Sequence, residues 1–108
     1  MKIQYAATLL LLIATPALAD ATKTVGSIKF SCVLTGSGDS GFDIITENSS
    51  KDSKTCTSSC KLTKKDGKTQ EWKYSSRTVR TGKSWFGGEA SVSGSPLSKP
   101  DLTSASCS

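Results

Sequence analysis

From Cys56 onward the chain alternates, with Cys56, Ser58, Cys60 and Leu62 on one side of an extended backbone and Thr57, Ser59, Lys61 and Thr63 on the other. Alternation with a period of two marks a half-buried β-strand. Farther on, Gln70, Trp72 and Tyr74 alternate with Thr69, Glu71 and Lys73. The stretch therefore predicts a β-hairpin with one bulky and one charged face. Side-chain parity selects its turn. A two-residue Asp66-Gly67 loop would set Leu62 opposite Glu71 and Cys60 opposite Lys73, mixing the two faces. A three-residue loop of Lys65, Asp66 and Gly67, with Gly67 in the left-handed region as a bulge, sets Leu62 opposite Gln70 and Cys60 opposite Trp72.

The same alternation runs through the rest of the chain. Ile28, Phe30, Cys32 and Leu34 share a face against Lys29 and Ser31, a strong first strand with Val25 just ahead of it. Gly36, Gly38, Asp39 and Gly41 break the pattern, and Phe42 to Thr46 resumes it. Residues 47–55 are polar throughout and read as an exposed loop. After Tyr74 the pattern predicts a short strand at Val79 and a turn at Thr81-Gly82-Lys83. A further strand follows around Trp85 and Phe86, which Gly87-Gly88 interrupts and Ala90 and Val92 resume. Adjacent strand residues face opposite ways, so of Trp85 and Phe86 one is inside, and Trp85 is expected there. Pro96 and Pro100 break the tail before a last strand from Leu102 to Cys107. Helical periodicity is missing over any useful length. The expected class is all-β: a small disulfide-stapled β-sandwich, immunoglobulin-like, of six or seven short strands.

The start of the chain follows another logic. Lys2, an apolar run from Leu9 to Ala14 and the small-x-small site Ala17-Leu18-Ala19 predict a cleaved secretory signal peptide over residues 1–19. Its uncharged stretch, Ile3 to Ala19, contains Gln4, Thr8 and Thr15 and is at the short limit for a span, so no transmembrane anchor is expected in the mature chain. Residues 20–108 then form a single β-sandwich domain, secreted or periplasmic. Asn48-Ser49-Ser50 fits the glycosylation acceptor pattern, but the leader looks at least as bacterial as eukaryotic, and no glycan is assigned.

A domain of this size buries only about 60 to 65% of its unfolded surface. Four cysteines in an exported chain answer that need as two disulfides. Zinc is not expected, since the chain has no histidine and lacks paired C-x2-C knuckles. Cys56 and Cys60 on one strand are about 13 Å apart, beyond the roughly 7 Å that a bridge spans. They must pair with Cys32 and Cys107. In an up-and-down layout Cys32 ends the first strand on the side where Cys60 lies, which predicts Cys32–Cys60 and Cys56–Cys107, with Trp72 packed on the first bridge.

Charge narrows the function. The formal net charge is +5, and Lys51 to Lys83 holds ten Lys or Arg against Asp52, Asp66 and Glu71. Lys61, Lys65, Lys73, Arg77 and Arg80 are the candidate binding residues of a basic hairpin face. The plainer role for such lysines is to solvate the hairpin and guard it against edge pairing. A basic surface attracts an anionic glycan, a cell-surface polymer, membrane headgroups or an acidic protein, and nucleic acid is not expected for an exported chain. Trp85 and Phe86 join the candidates as a neighbouring aromatic pair.

Catalysis is not expected: the chain has no histidine, no spaced carboxylate pair, no phosphate loop and no free thiol once the cysteines are bridged. Gly38-Asp39-Ser40-Gly41 shares its letters with the nucleophile segment of chymotrypsin-like proteases, but without a base it reads as a turn. No catalytic residue, metal ligand or cofactor is assigned. The expected function is a small exported non-catalytic binding or adhesion module. Inhibition of a secreted or periplasmic enzyme through Trp85-Phe86-Gly87-Gly88 is the alternative. A small secreted toxin or effector is a further one, for which the chain offers no amphipathic helix.

Overall fold

The computed structural model describes residues 20–108. The signal peptide expected at residues 1–19 lies outside the described residues. The described residues form seven strands: β1 Asp20–Val25, β2 Ile28–Thr35, β3 Gly41–Asn48, β4 Lys54–Thr63, β5 Thr69–Val79, β6 Lys83–Glu89 and β7 Ser98–Cys107. They make two antiparallel sheets, a four-stranded one in the order β1-β2-β3-β6 and a three-stranded one in the order β5-β4-β7. An immunoglobulin constant-type sandwich also divides seven strands four and three, but it sets its first two strands beside the fifth and fourth. Here β2 continues to β3 and then β6, so the immunoglobulin-like expectation is corrected to a sandwich-like pair of sheets with a different connectivity.

The β4–β5 hairpin has the register that parity requires. Leu62 pairs with Gln70, Cys60 with Trp72 and Thr63 with Thr69. The turn is closed by Lys64 N–H to the Lys68 carbonyl (2.7 Å), and Gly67 sits at φ 89° as its bulge residue. Beyond Tyr74 the strand does not stop. Ser76, at φ 54°, makes a bulge opposite Thr57 and β5 runs on to Val79, merging the separate short strand expected there.

Other boundaries shift for identifiable reasons. β1 pairs with β2 through a two-residue Gly26-Ser27 turn, although five of its six residues are exposed, so backbone pairing makes the strand without an apolar face to announce it. The polar loop shrinks to residues 49–53, because Glu47 and Asn48 belong to β3 and Lys54 and Thr55 to β4. Gly87-Gly88 does not interrupt β6: a Cβ at Gly88, whose φ is 133°, would collide with the Phe42 carbonyl of β3, so glycine lets the strands pair there. Ala90 and Val92 are in the following loop. From that loop Val92 and Leu97 turn inward to 9% and 1% exposure, with Val92 N–H bonded to the Ser40 carbonyl and Leu97 N–H to the Asp39 carbonyl. Pro100 is inside β7, an edge strand, where its missing N–H costs no ladder bond.

The interior falls into two clusters. Cys32, Phe42, Ile44, Cys60, Leu62, Val92 and Leu97 form one, against which Trp72, Tyr74 and Trp85 pack. Ile28, Phe30, Cys56 and Val79 form the other. Cys32–Cys60 joins the two sheets, and Cys56–Cys107 joins β4 to β7 within one sheet, the pairing expected from strand geometry. Trp72 packs against the cluster that contains the first bridge and tilts onto Phe42 at 4.7 Å between ring centroids.

Candidate functional site

The basic residues of the hairpin separate once the strands are paired. Lys61 and Lys73 reach the outer face of the three-stranded sheet, where Lys61 is in register with Glu71 on one side and Asp101 on the other. Lys65 sits at the hairpin tip. Arg77 pairs with Cys56, on the parity of the inner face, and lays its guanidinium 5.6 Å from the centre of the Trp85 ring. Arg80 is in the β5–β6 turn, at the opposite end from Lys65. The expected single basic face is thus dispersed, and its centre is interleaved with carboxylates from β5 and β7.

That centre is a hydrogen-bonded cluster. Ser59 lies on the polar side of β4 but is 2% exposed, and its hydroxyl meets Thr103 Oγ1 at 2.6 Å, Ser104 Oγ at 2.7 Å and Glu71 Oε2 at 3.2 Å. Thr103 also donates to Glu71 Oε2. These hydroxyls, Thr103 first and then Ser59, with the charges of Lys73 and Lys61 adding to them, hold the Glu71 carboxyl below its ordinary range.

Trp85 and Phe86 face opposite ways. Trp85 is half-buried, its ring folded across Gly87, where any Cβ would collide with it, and 5.4 Å from the Tyr74 ring. Burial, with Glu89 nearby, pushes the Tyr74 phenol up. Phe86 instead points out of the four-stranded sheet and is 63% exposed. Register surrounds it. Ile45 is its direct partner on β3, Asp43 and Glu47 flank Ile45 on the same face, and Val33 lies on β2 two residues from Ser31, the next partner of Ile45. In this strip of the face the half-buried Ile45 lies beside the exposed ring and between Asp43 and Glu47, while Val33 is the cross-strand partner of Asp43 and the exposed Lys29 that of Glu47.

Of the sequence-derived candidates, the structure brings Arg77 and Trp85 together and Lys61 and Lys73 onto one face; it places Lys65, Arg80 and Phe86 elsewhere. Asp43, Ile45 and Glu47 were not among the candidates. The signal for Ile45 was present, since Ile44-Ile45 in a strand must put one isoleucine outside. Among the described residues no group of three or more His, Cys, Asp or Glu is placed to hold a metal ion, and no helix is long and apolar enough to cross a membrane. No protein-family model matches the chain, and no curated protein or solved structure shows significant similarity to it.

Proposed function

We propose that this is a small exported, non-catalytic binding module whose contact surface is the outer face of the four-stranded sheet. The exposure of Phe86, at 63%, carries this reading. A ring held outward by strand parity, beside Ile45, offers apolar area that becomes favourable only when covered. Asp43 on one side of Ile45, and Glu47 with its cross-strand partner Lys29 on the other, favour a protein partner that sets a cation against Asp43 beside an apolar centre. Export is supported by the leader pattern and by the two disulfides, which suit an oxidising compartment. Trp85-Phe86-Gly87-Gly88 lies inside β6 and not in a projecting loop, so the inhibitor alternative loses the residues that prompted it.

The test is capture of a partner from the organism's own envelope or medium by wild-type protein and by two variants. Phe86→Ser should abolish capture, and Asp43→Lys with Glu47→Lys should reduce it at least tenfold, with both variants folded. Capture that is indifferent to Phe86→Ser overturns the proposal.

A further inference from the structure

A second site lies between the hairpin tip and the loop after β6. It is an open cleft of about 230 Å³. Lys64, Gln70, Trp72, Glu89, Ser91 and Ser93 line it. None of them belongs to the Phe86 strip. Trp72 is its aromatic lining residue, half-buried and packed at a tilt against Phe42. The two walls are fastened to each other by backbone, with Lys65 N–H donating to the Gly94 carbonyl at 2.8 Å. The Lys64 side chain lies along Gly94, where a Cβ would come within 3.1 Å of its Cδ. The width of the cleft is therefore set before any ligand arrives.

The chemistry of the lining is specific in its mixture. The lining holds one ammonium and one carboxylate, which leaves no net charge, and a planar amide and two hydroxyls supply both donors and acceptors. A phosphate or sulfate would meet Glu89 as well as Lys64. An acyl chain would desolvate five polar side chains without replacing their hydrogen bonds. A sugar ring meets every requirement, with C–H groups to lay on the indole and hydroxyls to exchange hydrogen bonds with the rim. We infer that this cleft is a saccharide-binding subsite, taking one uncharged sugar unit on Trp72. Its volume is below the roughly 300–1,000 Å³ of sites for drug-sized ligands, so it takes a single ring and binds it weakly.

The test uses the mature disulfide-bonded protein, with chito-, cello- and malto-oligosaccharides of increasing length as probes and the indole N–H resonance of Trp72 as the readout. At least one series should shift that resonance saturably, with Trp85 unmoved. Gln70→Ala and Glu89→Ala are exposed-rim changes that leave the core intact, and each should weaken the response about tenfold, the effect of losing roughly 1.4 kcal/mol. Phe86→Ser should leave it unchanged, so this site and the partner-binding face fail or succeed separately. Absence of a Trp72 shift with every series overturns the proposal. So does a response confined to inorganic sulfate that survives Glu89→Ala, which would make the cleft a simple anion site on Lys64.

Discussion

The two ends of the interior are built differently around their disulfides. At the hairpin end, Cys32–Cys60 crosses between sheets among Phe42, Ile44, Leu62 and Leu97, all at 1% exposure or less. At the other end, Cys56–Cys107 links paired neighbours of one sheet, Cys107 is only half-buried, and Ile28, Phe30 and Val79 are its apolar company. A polar residue finishes that end. Asn48, 2% exposed, donates from Nδ2 to the carbonyls of Val79 (2.8 Å) and Asp52 (2.9 Å), accepts Ser50 N–H on Oδ1, and receives Gly82 N–H on its own carbonyl. One end is closed by packing and the other by hydrogen bonds that gather the loops after β3 and β5. Chain entropy alone would rank the bridges the other way, since they close separations of 28 and 51 residues, worth about 3.6 and about 4.1 kcal/mol.

Removing each bridge separates packing from entropy. The double change Cys32→Ala, Cys60→Ala should cost about 5 kcal/mol, because a cavity is added to the lost constraint, against about 4 kcal/mol for Cys56→Ala, Cys107→Ala. Urea unfolding of the two variants measures both, and the reverse order would show that loop length governs. Next in size, Leu97→Ala should cost about 3 kcal/mol although the residue lies in a loop, because its side chain completes the packed end. A loss under about 1 kcal/mol would mean that the loop is a lid on a core already finished without it. Asn48→Ala, at the end closed by hydrogen bonds, should cost about 2 kcal/mol and speed amide exchange at Gly82, since it strands the buried carbonyl of Val79 and the partly buried one of Asp52. Unchanged exchange at Gly82 would remove Asn48 as the organiser of that end.

The smallest effect belongs to neither end. Glu71 has a lowered pKa in the folded chain, so its contribution is fully present above the ordinary glutamate value and is lost as pH falls through the lower folded value. Stability of the wild type should decline over that acid window, and Glu71→Gln should flatten the decline there while leaving the neutral-pH ranking of the two bridges unchanged. An identical acid profile in the variant would assign the decline to other carboxylates.

How much of this was legible beforehand depended on whether a residue's surroundings follow from its own strand. The hairpin register and the bridge partners did, because parity and the span of a strand leave few choices for Cys56, Cys60 and Trp72. β1 did not, since Asp20–Val25 is an exposed edge with no apolar face, although Gly26-Ser27 before Ile28 is a two-residue turn signal. Val92 and Leu97 were hidden because loop residues carry no period. The basic face misled for a related reason. Charges counted along β4 and β5 omit Asp101, which arrives from β7 opposite Lys61, and Thr103, which arrives 32 residues after Glu71. The strip around Phe86 and the cleft over Trp72 likewise join residues from strands and loops distant in the chain.

Both bridges meet on β4, four residues apart, and this has a mechanical consequence. Tension applied between Asp20 and Ser108 passes along β1 and β2 to Cys32, across to Cys60, back to Cys56, and across again to Cys107 at the end of the last strand. Covalent bonds short-circuit β3, β5 and β6 entirely, and β7 up to Cys107. With the bridges intact the pulled chain can lengthen to only about 60 Å, against about 300 Å once they are reduced. Pulled between these points the chain sheds β1 and β2 up to Cys32 at most, and a reductant lets the rest extend.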